Sequence, residues 1–266
     1  MPNLATQDVL SRIQQLTETL KKLTIEQLNI IEVIASQFII PFDKITRLST
    51  SDLISDKVMQ YFGDLLRVHH CMSKEPFTKD KFEYAFEKVL IQCGVNAKLA
   101  TRGNPGHDIT INGVNISLKS QADRNINPNS IDISKFMELG KGTWGNSPND
   151  LIGLRDQFFN HMHSYDRIFT LRCLSHAEQF HYELVEIPKS LLLEAENGIF
   201  KMKLDSKQNP KPGYCHVFNE NGTIKFQLYF DGGTERKLQI KNIKKSLCKV
   251  HAEWKFTLTI SQTALM

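Results

Sequence analysis

The chain has 266 residues, with 33 Lys and Arg against 29 Asp and Glu, a formal charge of +4, and 41% apolar and 9% aromatic residues. This excludes disordered and fibrous classes and allows one large domain with a helical appendage to bury its core without disulfide staples. No apolar run reaches the roughly 18–20 residues of a membrane span, and the opening MPNLATQDVLSRIQQ lacks the basic-then-apolar order of a signal peptide. A cytoplasmic protein with no membrane partner is expected. The cysteines Cys71, Cys93, Cys173, Cys215 and Cys248 are odd in number, scattered and never in a C-x-x-C pair, which points to reduced thiols, not a disulfide framework or structural zinc. The charge is unevenly divided. From Lys201 to Met266 there are twelve Lys and Arg against five Asp and Glu, +7, which leaves −3 for residues 1–200. A basic C-terminal third points to a polyanion partner, although lysine-rich strands also protect sheet edges.

In chain order, residues 6–23 predict an amphipathic helix with Val9, Ile13, Leu16, Leu20 and Leu23 at 4, 3, 4, 3 spacing. Its seam suits a dimer interface or a DNA clamp, but packing within the chain is the commoner fate of so short a repeat. Thr24 with Gln27 forms a capping-box signature for a second helix, ended by Pro41. A third helical stretch runs to the break at Ser73–Pro76. His69, His70 and Cys71 sit there with adjacent spacing, expected to diverge at a surface helix end. FTKDKFEYAFEKVLIQCG predicts a helix with Phe82, Phe86, Val89 and Leu90 inward and Gly94 as its stop. VNAKLAT and HDITI predict strands, and Asn112-Gly113 a tight hairpin returning through VNISLKSQ. After a polar loop, ISKFMELGKG is expected as a short helix. PNDLIGLRDQFFNHMH predicts an amphipathic helix, with His161 and His163 as its C-terminal cations. Strands DRIFTLRCLS and FHYELVEI, a helix PKSLLLEAENG and a run of hairpins complete the chain. No phosphate-binding G-x-x-x-x-G-K-[ST] loop and no G-x-S-x-G nucleophile turn are present.

In a two-residue hairpin around Asn112-Gly113, facing residues sum to about 225, so Asp108 lies opposite Ser117, and Ser117 and Lys119 share one strand face. A carboxylate beside an ammonium at one end of a hairpin suits phosphodiester hydrolysis. The carboxylate holds Mg²⁺, which lowers the pKa of a bound water, and the lysine positions that water.

Pro105-Gly106-His107-Asp108 followed by Ser117-Leu118-Lys119 resembles the PD-(D/E)xK nuclease superfamily, type II restriction endonucleases in particular, in the variant with Ser in place of the second acidic residue. The resemblance spans about Phe77 to Ser175. It implies an α/β (α+β) fold with a restriction-endonuclease-like core: a central mixed β-sheet flanked by helices, an N-terminal helical region and a C-terminal β-rich extension. Phe82-Glu83 ahead of Gly94 resembles the acidic helix of that family, and Gln121 its K-x-Q strand ending. Asp108 and Glu83 would then be the metal ligands, with Glu87 as the alternative to Glu83. Lys119 and Ser117 complete the catalytic set and Gln121 supports it. Three parts are expected: 1–75 helical, 76–200 nuclease core, 201–266 a basic extension packed on the core for DNA recognition.

For DNA contact, Arg124, Lys135, Phe136, Lys141 and Trp144 follow the catalytic strand, and Lys225, Arg236, Lys237, Lys241, Lys244 and Lys245 lie in the C-terminal β region, with Arg236 as the candidate for reading guanine. The expected activity is Mg²⁺-dependent, sequence-specific hydrolysis of double-stranded DNA. The resemblance implies a homodimer cutting a short palindrome and functional pairing with a cognate DNA methyltransferase. The alternatives are a structure-specific repair nuclease (a resolvase or nickase), distinguished by nicks or smears in place of discrete plasmid bands, and a non-catalytic DNA-binding protein with a decayed site. Truncation after about Lys201 is expected to remove DNA binding before the metal site.

Overall fold

The computed structural model describes residues 4–258 apart from Arg102, Pro105, Arg124, Lys141, Gly142, Ala177 and Glu178. Six α-helices are described: α1 Leu4–Leu20, α2 Ile25–Ile39, α3 Asp56–Met72, α4 Lys79–Gln92, α5 Ile152–Met162 and α6 Lys189–Leu193. The strands are β1 Lys44–Arg47, β2 Ala97–Leu99, β3 Ile109–Ile111, β4 Val114–Gln121, β5 Ser130–Glu138, β6 Arg167–His176, β7 Gln179–Ile187, β8 Ile199–Met202, β9 Gly213–Phe218, β10 Ile224–Phe230, β11 Lys237–Lys244 and β12 Lys249–Thr257. They form a seven-stranded sheet, β1-β12-β7-β6-β4-β3-β2, and a five-stranded sheet, β5-β11-β10-β9-β8. The β4–β6 pair is parallel and the other pairings described are antiparallel. A parallel neighbour needs a crossover, and α5 lies on it. The molecule is thus mixed α and β, with helices against a large mixed sheet.

Strand alternation divides the interior in two. Ile116 and Leu118 of β4 and Phe169 and Leu171 of β6 face α3 and α4, where Phe62, Phe82, Phe86 and Trp254 fill the first core. The opposite face meets α5 and the five-stranded sheet, which pack Phe158, Phe226, Phe230 and Leu238 into a second core. On that face β4 presents Ser117, Lys119 and Gln121, β6 Thr170 and Arg172, and β7 Glu183, all buried. A polar row is therefore enclosed between the two sheets.

Several expectations change. ISKFMELGKG is not a short helix: Ser130–Glu138 is a strand, because Ile131 and Ile133 pair with Ile243 and Ile240 of β11, and this cross-strand pairing overrides local propensity. The last 66 residues do not stay together. β8–β11 build the second sheet, but β12 returns to the first, pairs with β7 and β1, and buries Trp254 and Phe256. Truncation after Lys201 therefore strips the first core as well as the basic surface. Most of the apolar stripe of α1 is uncovered by the described residues: Val9, Leu10, Ile13 and Leu16 are 54–58% exposed, while Leu20 and Leu23 are half-buried, and α2 buries Val33 and Gln37. Arg67 of α3 instead holds the end of α2, donating to the carbonyls of Gln37 and Ile40 at 2.7 Å each. His70 and Cys71 are buried, not at a surface helix end. His70 stacks on Phe180 and bonds the Tyr182 hydroxyl at 2.7 Å. Among the described residues, no helix is long and apolar enough to cross a membrane.

Candidate active site

The hairpin register follows the predicted sum of 225: Ile109 faces Ile116, Thr110 faces Asn115 and Ile111 faces Val114. Asn112 (φ 50°) and Gly113 (φ 83°) supply the two left-handed positions of such a turn. Asp108 lies just before this ladder, its N–H donating at 2.9 Å to the carbonyl of Ile116, the residue that Ile109 faces. The loop before it packs so closely that a Cβ on Gly106 would lie 2.8 Å from that of Ser164. Oδ2 of Asp108 accepts from the Leu118 N–H at 2.6 Å and the Ser117 hydroxyl at 3.1 Å, and lies 3.8 Å from Lys119 Nζ. Oδ1 accepts from Lys79 Nζ at 3.0 Å. Burial alone would raise the Asp108 pKa, but Lys119 and Lys79 outweigh it and hold the carboxyl below its usual range.

Lys119 is 8% exposed, its ammonium 5.6 Å from the centre of the Phe136 ring. Burial pushes its pKa down to about 8, against the pull of Asp108 and with the help of Lys79. A lysine so tuned gives up or shares a proton near neutral pH far more readily than an exposed one.

Helix α4 supplies the second carboxylate. With Phe82 and Phe86 in the core, Glu83 projects from the side of the helix, and Lys79, one turn earlier, lies 3.2 Å from its Oε1. That oxygen is buried, with the Lys79 ammonium as its partner. Burial raises the Glu83 pKa, opposed by Lys79 and reinforced by Asp108. Glu87 is occupied elsewhere, accepting from the Leu99 N–H at 2.7 Å. The described residues contain no group of three or more His, Cys, Asp and Glu poised around one point. Two carboxylates that share one ammonium, Asp108 and Glu83 on Lys79, still suit Mg²⁺, which keeps several waters and takes one or two carboxylates plus substrate phosphate.

Four groups here escaped sequence reasoning. Lys79 sits at i, i+4 from Glu83, a spacing that places it on the same helix face. His161 is not a solvated C-terminal cation. Its ring lies 5.9 Å from Phe136 and 5.5 Å from Tyr165, and burial, then Lys119, lower its pKa. Tyr165 is 1% exposed, and burial, then Asp108, raise its pKa. Thr170 is the parallel-register partner of Lys119. His161 Nε2, Tyr165 OH and Thr170 Oγ1 are all buried without a hydrogen bond among the described residues.

Gln121 shares the strand face of Lys119 but is engaged at its far end. Its side-chain oxygen accepts from Arg172 Nε at 2.8 Å, and Arg172 also holds Glu183 and the carbonyls of Asn127 and Ser130. Of the candidate DNA contacts, Arg124 and Lys141 lie outside the described residues. Lys135 pairs with Glu138 at 2.8 Å, Lys237 with Glu235 at 2.9 Å, and Lys225 with Glu194. Arg236 occupies a left-handed turn (φ 42°) on the wall of a cavity shared with Gln208 and Asn209. Lys241 lies over the Tyr229 ring, Lys244 bonds Thr223 and Lys245 pairs with Glu183. Phe136 is buried, and Trp144 donates to the Lys211 carbonyl.

Comparison with known proteins follows the same direction. The family model for SmaI, a type II site-specific deoxyribonuclease, matches residues 16–256. The type II restriction enzyme SmaI of Serratia marcescens is 48% identical over 218 residues, which cover 81% of this chain and 86% of that protein. No solved structure matches. Since nearly the whole folded chain is matched, including both sheets and the Asp108 hairpin, it belongs to the SmaI family of type II site-specific deoxyribonucleases, enzymes that hydrolyse phosphodiester bonds.

Proposed function

We propose that this enzyme is a Mg²⁺-dependent restriction endonuclease of PD-(D/E)xK architecture that cuts double-stranded DNA at a specific sequence. The observation that carries the reading is the convergence of Asp108, Ser117 and Lys119 on one hairpin end with Glu83 of α4 held beside them through Lys79. Asp108 and Glu83 would hold Mg²⁺, which when bound would lower the pKa of a water and neutralise charge on the phosphoryl group. Lys119 orients the attacking water, and its burial keeps its hydrogen-bonding direction fixed. Ser117 brings no charge and acts by fixing the Asp108 carboxylate through its 3.1 Å bond. Gln121 supports the strand end through Arg172.

DNA recognition is assigned to the five-stranded sheet, with Lys135, Lys225, Arg236 and Lys237 its candidate contacts; Arg124 and Lys141, outside the described residues, stay candidates from the sequence alone. Because each chain carries one such site and a duplex has two strands to cut, the working unit is a homodimer. Its cognate partner in the cell is a DNA methyltransferase that protects host sites, and its place is the cytoplasm. Digestion of several unrelated plasmids with purified protein and Mg²⁺ tests the reading. Discrete, reproducible bands, abolished by EDTA and by Asp108→Asn while DNA binding persists, are expected. Smears, or full cleavage by Asp108→Asn, would reject it.

A further inference from the structure

We infer that Lys79 is an intramolecular competitor for the metal site, its ammonium contending with a divalent cation for the same two carboxylate oxygens. The inference rests on the metal-holding roles proposed for Asp108 and Glu83. Oδ2 of Asp108 is committed to the Leu118 N–H and the Ser117 hydroxyl and faces Lys119, which leaves Oδ1 to ligate a metal. Glu83 offers its buried Oε1, whose close partner is Lys79. Lys79 Nζ lies 3.0 Å from the first oxygen and 3.2 Å from the second. A divalent ion takes such oxygens at roughly 2.0–2.1 Å, in the space the ammonium reaches into, and like charges that close repel strongly where solvent is scarce.

The two lysines of the site differ in whether they can leave. The Lys119 side chain is 9% exposed and enclosed by the second sheet, whereas that of Lys79 is 43% exposed. Lys79 is the first residue of α4, carried on a flexible four-carbon stem. It opens onto a groove of about 470 Å³ lined by Tyr84, Thr101, Asn104 and His107. An ordinary i, i+4 surface pair would need only Glu83; Lys79 also reaches Asp108, 29 residues away in the chain. Lys79 therefore holds the two carboxylates together as a resident counter-charge and swings into the groove when a metal enters.

Competition predicts that removing the ammonium tightens metal binding by the full-length protein without DNA. Lys79→Met and Lys79→Gln should each bind Mn²⁺ about tenfold more tightly than wild type, read by electron paramagnetic resonance of free Mn²⁺, with Mg²⁺ calorimetry in parallel and thermal unfolding as the control for folding. Lys79→Arg, which keeps the charge, should stay within about twofold of wild type. Equal or weaker metal binding by folded Lys79→Met and Lys79→Gln overturns the inference. Asp108→Asn separates this from failure of the site itself: if it still binds metal and cleaves, the site reading falls. If it loses both while the Lys79 variants bind as wild type, only the competition falls.

Discussion

On the inward face of the seven-stranded sheet Lys119, Arg172 and Glu183 are 8%, 0% and 2% exposed, whereas the cations of the five-stranded sheet lie near the surface beside local partners: Lys237 by Glu235, Lys225 by Glu194, Lys241 over Tyr229. Both regions are basic, and the difference lies in burial, not in the amount of charge. A paired surface charge contributes little to stability and shifts its partner little, while a buried one must be satisfied or be used. Within the first sheet, satisfaction is divided. Arg172 reaches Gln121, Glu183 and two carbonyls, and so locks β4, β6, β7 and the start of β5 together. Toward Lys119, by contrast, His161, Tyr165 and Thr170 keep buried atoms without a hydrogen bond among the described residues. Unused bonding capacity inside a protein is costly unless a ligand takes it up, which separates the proposed catalytic end of the polar row from its structural end.

The comparison is broken most directly at the catalytic end. Asp108→Asn and Lys119→Met should each lower the cleavage rate by about 10²–10⁴-fold with thermal stability nearly intact, measured by single-turnover digestion alongside calorimetry; a loss of folding in place of rate would erase the distinction. At the structural end, Arg172→Met should cost about 3–5 kcal/mol by leaving Glu183 buried with Lys245 as its remaining partner, seen in urea unfolding. Ser117→Ala, which removes one of three groups fixing Asp108, should cost about 10–100-fold in rate or metal affinity. A quantitative check on pH uses Glu186. Burial would raise its pKa, yet Arg167 and His251 hold it down to about 2 from the usual 4.5. A depressed carboxylate contributes stability above its unfolded pKa and loses it as pH falls toward the folded value. Between pH 4.5 and 2 the wild type should therefore lose on the order of 2 kcal/mol that Glu186→Gln does not. The smallest effects belong to the second sheet: Lys135→Ala or Lys237→Ala should weaken DNA binding less than tenfold and lower its salt slope by about one each. A hundredfold loss from either would move the recognition energy onto that residue.

Local signals carried the catalytic hairpin. Asn112-Gly113 determined the turn and with it the register of Ile109–Ile111 against Val114–Ile116, and the strand period of two put Ser117 and Lys119 on one face; Asp108 meets Ser117 through its side chain. The α4 stripe and the β6 and β7 strands were equally legible, because each repeats its apolar residues at its own period. ISKFMELGKG was misread because its strand identity comes from β11, more than a hundred residues later. Lys79 was missed although its spacing to Glu83 was in view, since an i, i+4 Lys–Glu pair is ordinary on any helix and only the approach of Asp108 makes it part of a site.

The sequence by itself determined the elements whose geometry is settled within about ten residues: a capped helix, a two-residue turn, two side chains on one strand face. Tertiary structure decided which charges are buried. The packing of the five-stranded sheet over β4 and β6 removes water from Lys119 and Arg172, and the return of β12 makes the basic C-terminal third part of the nuclease sheet. Burial depends on what covers a residue, and here the cover comes from strands far away in the chain, so no local pattern encodes it.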